Sequence, residues 1–293
     1  MPGYGEAVSH GAATVVNAIA IGSGSALGVD LWTLARVRLT SEPHVVIGRI
    51  LSEPEESTEL IEKAVQAVLR HFDVEMRMGA EVETDSNIPI ARGLKSSSTA
   101  ANAIVLAAAA ALGRSVADLE AVNLGVEAAI EAKTTITGAF DDASASFFGD
   151  VVVTDNAQRK ILRKFTVSED VEVLFFVPPA KAYTYSSDVA RMKTIAPQVR
   201  VALREALGGD YWIALTLNGF LYSAALGYDP RPAVDALQAG AIASGLSGKG
   251  PAITAIVPTT RVKDVLRVWS ELKGEVVRAR VNHEKAKATR QEP

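Results

Sequence analysis

The positions Val29, Leu31, Thr33, Ala35, Val37 and Leu39 fall at every second residue, the period of a half-buried strand. An extended apolar run at 45–51 follows, set off by Pro43, which suits a turn. Over 55–72 the spacing changes: Leu60, Ala64, Ala67 and Val68 share one helical face and predict a helix. Val74, Met76, Met78, Ala80 and Val82 return to alternation and predict another strand. The alanine-rich stretch up to Leu112 predicts a helix, with Gly113 placed to end it. Ser115 and Asp118 stand at capping-box spacing for a further helix to about Lys133.

The second half repeats the alternation of elements. A strand at 151–154 is followed by a polar, basic region at 156–163, a linker or hairpin between halves, and by a continuous apolar run at 171–177 suited to a buried strand. Helices are expected at 187–207, 211–225, 232–239 and 262–272, and strands at 252–257 and 275–281. The polar tail from His283 is expected to fray. Strands and helices on both sides of the linker indicate a two-part α/β or α+β protein, divided into 1–160 and 161–293, without an internal repeat.

Composition narrows the classes. A chain of 293 residues is near the upper limit for one core, and 48% hydrophobic with 22% charged residues is ordinary for a folded soluble protein. A net charge of −4 argues against a general nucleic-acid binder. The absence of cysteine excludes disulfides, thiolate metal sites and cysteine nucleophiles. The apolar stretch 100–112 is too short to cross a bilayer, and the N-terminus lacks the pattern of a secretory signal, so no membrane partner and a cytoplasmic location are expected. His10, His44, His71 and His283 have no metal-ligand spacing.

The strongest chemical signal is Pro89-Ile90-Ala91-Arg92-Gly93-Leu94-Lys95-Ser96-Ser97-Ser98-Thr99, feeding directly into the alanine-rich helix. Small residues let the backbone approach an anion, and a helix start points unpaired N–H groups outward with partial positive charge. The serines can add hydrogen bonds or a magnesium ligand, and Lys95 or Arg92 can balance phosphate charge. A serine run before a helix is also a common cap. The string lacks the G-x-x-x-x-G-K-[ST] order of a P-loop, and Gly248-Lys249-Gly250 does not supply it.

Pro89, Gly93, Leu94, Ser96 and Ser97 match the P-x-x-x-G-L-x-S-S pattern of the GHMP kinases, which include galactose, homoserine and mevalonate kinases. Gly248-Lys249-Gly250-Pro251 before a strand resembles that family's C-terminal glycine motif, and Glu127 followed by Gly138-Ala139-Phe140-Asp141-Asp142 resembles its acidic pair. These motifs, in order, extend the resemblance over about 14–281. The stretch 17–29, with Gly22-Ser23-Gly24-Ser25, departs from the usual first motif. Together with Thr135-Ile136-Thr137 it resembles the archaeal-type shikimate kinases, a branch unrelated in fold to the P-loop enzymes.

The resemblance implies an α+β GHMP kinase fold, its N-terminal domain like the second domain of ribosomal protein S5 and its C-terminal domain ferredoxin-like. It implies ATP and Mg²⁺, with phosphates over 89–99 and transfer to the 3-hydroxyl of shikimate. Ser97 and Glu127 would hold Mg²⁺, with Ser98 the near alternative to Ser97. Asp141 would face the acceptor hydroxyl as base; Asp142 is compatible by a one-residue shift. Neighbours on a helix point about 100° apart, so one of the two is expected to face the substrate. Ser23, Gly24 and Ser25 would lie near the acceptor, with Gly248 and Gly250 near triphosphate or substrate. Arg191, Lys193 and Lys181 are candidates for the substrate carboxylate. The competing readings are another GHMP kinase, for homoserine or mevalonate, and a binding module that kept the fold without the reaction.

Overall fold

Strands β1 (Tyr4–Val16) and β2 (Ser23–Thr40) run antiparallel along nearly their whole length, with Tyr4 opposite Arg38 and Val16 opposite Ser25. In this computed structural model, which describes residues 3–90, 92–179 and 188–292, they form the spine of the first sheet. β4 (Gly79–Ser86) adds to β2 antiparallel, and β3 (Val46–Ile50) adds to β4 in parallel. Beyond residue 28 of β2 its partner changes, and β5 (Val151–Asp155) pairs with Ser23–Leu27 and carries β6 (Lys160–Phe165) in a hairpin.

Helices α1 (Glu59–His71), α2 (Ser96–Ala111), α3 (Asp118–Glu131) and α4 (Phe140–Phe148) pack with this sheet. α2 is apolar on nearly every side, and a helix of that kind must be enclosed. It lies against β1 and β2 with α1, α3 and α4 around it.

The second sheet has the order β10–β7–β9–β8: β7 (Val171–Val177), β8 (Ala243–Leu246), β9 (Ile253–Pro258) and β10 (Glu275–Arg280). Helices α5 (Val189–Thr194), α6 (Ala196–Gly208), α7 (Tyr211–Leu226), α8 (Arg231–Gln238) and α9 (Val262–Trp269) accompany it. α7 touches both β8 and β1, and Ala13, Val15, Leu27 and Val29 of the first sheet share a buried cluster with Phe175, Leu215 and Ile253. The two halves therefore meet through continuous apolar packing.

Several expectations are corrected. The alternation from Val74 does not begin a strand: Val74 N–H is taken by Leu69 O, Arg77 and Met78 turn back onto Val74 O, and Met76 is 70% exposed. The expected helix 187–207 is two, because Pro197 cannot donate to a continuing ladder and instead opens α6, while Asp188 caps α5 through Arg191 N–H at 2.8 Å. Ser115 and Asp118 form no capping box: α3 starts without a side-chain cap, and Asp118 instead accepts from Lys285 at 2.9 Å. The tail does not fray. Lys287–Glu292 (β11) pairs with the outer edge of β1, whose backbone groups would otherwise be unpaired. A boundary at 160/161 falls at the first residue of β6, which belongs to the first sheet; the change of sheet lies between Phe165 and Val171, and β11 returns to the first. Among the described residues, no helix is long and apolar enough to cross a membrane.

Candidate active site

The turn into α2 is built by backbone conformation. Gly93 has φ 88° and Lys95 φ 67°, both left-handed, so the chain reverses twice within three residues. Leu94 between them is 1% exposed, and burial of such a side chain contributes about 1.5–3 kcal/mol, which pins the loop to the core. α2 then starts without a side-chain cap. The serines are therefore not spent on capping, and Ser96, Ser97 and Ser98 line a cavity of about 370 Å³.

The distant glycine turn completes this wall. Ser247 Oγ donates to Gly93 O at 2.8 Å, and Ala252 N–H donates to Arg92 O at 3.2 Å. A Cβ on Gly93 would come within 2.9 Å of Ser247 O, so glycine is needed there for both conformation and contact. Gly248, Lys249 and Gly250 line the cavity, with Gly248 against the Lys95 ammonium.

The opposite wall is acidic. α4 begins after Gly138 (φ 84°) and Ala139 (φ 48°), and its first turn carries Asp141 and Asp142 to the cavity. Both face it, against the expectation of one, because both stand at the helix end that abuts the cavity. Asp142 Oδ2 pairs with Lys95 Nζ at 3.2 Å, their side chains 10% and 12% exposed, while Asp142 Oδ1 is buried without a hydrogen-bond partner among the described residues. Asp141 Oδ1 accepts from Asn156 Nδ2 at 2.8 Å. Burial, and then the Asp142 charge, push the Asp141 carboxyl up to about 7, against the pull of Asn156 and Lys95. Burial and the Lys95 charge bring the Lys249 ammonium down to about 8.

The same cavity is also lined by the apolar side chains of Ile50, Leu60, Ile61, Ile90 and Ala100.

The family of the GHMP kinases N terminal domain matches residues 59–150. Over nearly full length the chain is similar to named relatives. It is 44% identical to the shikimate kinase of Methanosarcina mazei, covering 95% of this chain and 94% of the relative. It is 45% identical to that of Methanothrix thermoacetophila, covering 97% and 96%. It is 43% identical to that of Pyrococcus abyssi, covering 94% and 98%. The chain belongs to the GHMP-type shikimate kinase family. Solved GHMP enzymes share the fold at low identity. The Methanococcus jannaschii mevalonate kinase superposes with a TM-score of 0.78 at 16% identity, covering 94% of this chain and 98% of that one. The homoserine kinase of Cytophaga hutchinsonii superposes with 0.75 at 16%, covering 97% of each.

In this shikimate kinase family member the expected residues divide sharply. From 89–99, Ile90, Gly93, Lys95, Ser96, Ser97 and Ser98 line the cavity. Pro89 and Leu94 do not, Leu94 being core. Thr99 is fully buried and donates to His10 O and Lys95 O, each at 3.1 Å. Arg92 turns its guanidinium to the carbonyls of Pro178 (2.8 Å) and Pro179 instead of the cavity. Ala91 lies outside the described residues, as does Lys181.

Glu127 does not line the cavity; its side chain is 50% exposed and pairs with Arg159 at 2.9 Å. Ser23 and Ser25 do not line it either, and Ser25 donates to Val152 O at 2.8 Å inside the sheet. Gly24 reaches the site differently, since a Cβ there would overlap the Asp141 carboxylate. Arg191 and Lys193 are off the cavity; Lys133 and Lys249 are on it. Thr14, Asn17 and Asn156 were missed. Asn156 lay in a segment that reads as a polar linker, and its burial and its bond to Asp141 show it turned inward.

Proposed function

We propose that the chain transfers the γ-phosphoryl group of ATP to the 3-hydroxyl of shikimate, giving shikimate 3-phosphate and ADP. The observation that carries the reading is an uncapped, serine-lined helix start facing two buried aspartates across one cavity, in a chain similar over nearly all its length to shikimate kinases. In this reading the apolar side chains of the cavity, Ile50, Leu60, Ile61 and Ile90, receive the nucleotide base, and the N–H groups opening α2 receive the phosphates.

The cavity is chemically suited to ATP with Mg²⁺. Among the described residues, Asp142 Oδ1 and Thr14 Oγ1 are buried there without a hydrogen-bond partner, atoms that a polar ligand would satisfy. Ser97 would be the protein hydroxyl on Mg²⁺, with Ser98 next to it; Glu127 pairs with Arg159 and does not line the cavity. When bound, Mg²⁺ neutralises phosphate charge.

The protein's own residues then act by position and charge. Lys95, Lys249 and the helix start stabilise charge developing on the transferred group. Asp141, whose carboxyl sits near neutrality, takes the acceptor proton as the bond to phosphorus forms. Lys133 or Lys249 meets the substrate carboxylate. The first sheet and its helices would be the S5-like part and the second the ferredoxin-like part, and a cytoplasmic location accords with ATP as donor.

A coupled ADP-release assay offering shikimate, homoserine and mevalonate separately tests this. The expected result is turnover with shikimate. Preference for another acceptor would replace the substrate, and no turnover with any would revive the binding module.

A further inference from the structure

We propose that Asn156, backed by Thr154, is a positioning residue that aims Asp141, holding one carboxylate oxygen so that the other is presented at the cavity wall. This rests on reading Asp141 as the carboxylate that meets the acceptor hydroxyl.

The arrangement comes from the pairing of β5 with β2, which sets Thr154 opposite Gly24. Thr154 Oγ1 donates to Asn156 Oδ1 at 2.7 Å, with Gly24 O a more distant acceptor at 3.3 Å. With its oxygen so engaged, the Asn156 amide must turn its nitrogen the other way, and Nδ2 donates to Asp141 Oδ1 at 2.8 Å. The Asn156 backbone is also fixed, its N–H donating to Gly22 O at 2.9 Å. Thr154 is fully buried, Asn156 is 6% and Asp141 3% exposed, so water does not compete for these bonds. Asp141 Oδ2 lies over the bare Cα of Gly24, where any side chain would overlap it. The carboxylate is thus set between the Asn156 side chain, with the Asp142 backbone N–H as a further donor, and the bare Cα of Gly24.

The charged and titratable groups around Asp141 come from every side: Asp142 on α4, Lys95 at the start of α2, Tyr222 on α7, and Lys249, which acts on Lys95 and Asp142. Among the described residues, the side-chain hydrogen bond to Asp141 comes from Asn156. A donor to the charged form favours it, so Asn156 opposes the upward push of burial and Asp142.

The test is steady-state kinetics of the full chain with ATP, Mg²⁺ and shikimate across pH, for N156A, T154V, T154S and D141N. For N156A, kcat is expected to fall about 10- to 100-fold with KM for ATP unchanged, and the acid limb of kcat/KM to move to higher pH. T154V should move both in the same direction by less, and T154S, which keeps the hydroxyl, should restore them. Folded N156A and T154V with wild-type kcat and acid limb overturn the proposal. So does a loss shared equally by T154S, which would mark a packing effect. Should N156A fail to fold, the T154V and T154S pair decides. Full turnover in D141N removes the reading of Asp141 and the proposal with it, whereas an inactive D141N beside an unaltered N156A removes only the proposal.

Discussion

The two walls of the cavity are built in different ways. The wall at the start of α2 is shaped mainly by neighbouring residues, with two left-handed positions at Gly93 and Lys95, a buried Leu94 between them and serines at the first turn of α2, and the glycine turn at Gly248–Gly250 is joined to it by Ser247. The aspartate wall is set from behind by residues far apart in the chain: Asp141 on α4 is held by Gly24 on β2 and Asn156 beyond β5, with Tyr222 of α7 hydrogen-bonding Asn17 O and Ala20 N–H at 3.2 Å each. A wall assembled from four elements depends on each contact.

The sharpest test of that difference is D141N. As the group taking the acceptor proton, its loss should lower kcat about 10²- to 10⁴-fold with ATP binding retained, measured by ADP release and nucleotide titration. Full turnover in a folded D141N would sink the role. Next is G24A, which touches no ligand in this reading. Its methyl would have to displace the Asp141 carboxylate, and a misplacement of about 1 Å costs on the order of 10²-fold. A G24A enzyme with unchanged kcat would show that the aspartate wall is softer than its packing indicates.

This difference also decides what the sequence could disclose. The 89–99 loop was legible because its glycine, lysine and serines are neighbours whose joint chemistry is local. Even there, Arg92 and Thr99 turned away, since tertiary partners at Pro178 and His10 claimed them. Where Glu127 points was not legible, because spacing along a helix fixes a face relative to its neighbours but not which face meets the cavity. β1 escaped notice because its glycines, alanines and serines blur alternation. β11 did so because a polar edge strand has the composition of a loose tail. Asn156 could be read only through its burial and its bond to Asp141.

Lys95 joins the walls, and K95M measures that joint. Removing it leaves the Asp142 carboxylate nearly buried without its 3.2 Å partner, a loss of about 3–5 kcal/mol for such pairs, with Lys249 nearby drawing it to the lower end. The urea midpoint should fall accordingly; an unmoved midpoint would mean that the pair opens to water. D141N has the opposite effect on stability. The Asp141 carboxyl stands near 7 in the folded chain against an ordinary 3.8, so the folded state binds the proton more tightly. Its contribution to stability is full below about pH 4 and lost as pH rises to about 7, while activity needs the ionised form. D141N should therefore melt higher than wild type at about pH 8, with the gap closing toward about pH 4. A gap of the other sign would show that Asn156 and Lys95 outweigh burial.

The smallest expected effect separates the cavity from the surface. Glu127 and Arg159 form an exposed pair, and such pairs contribute about 0–1 kcal/mol. Nothing about that pair touches the cavity, so E127Q should shift the melting temperature slightly and leave kcat, KM for ATP and the magnesium dependence at wild-type values. The comparison is S97A, which removes a hydroxyl at the start of α2 and should raise the magnesium needed for half-maximal rate. If E127Q raised that requirement as much as S97A, α3 would have to rotate its outward face toward the cavity when ATP binds, breaking the 2.9 Å bond to Arg159, and the division into a local wall and an assembled one would have to admit a third, mobile contributor.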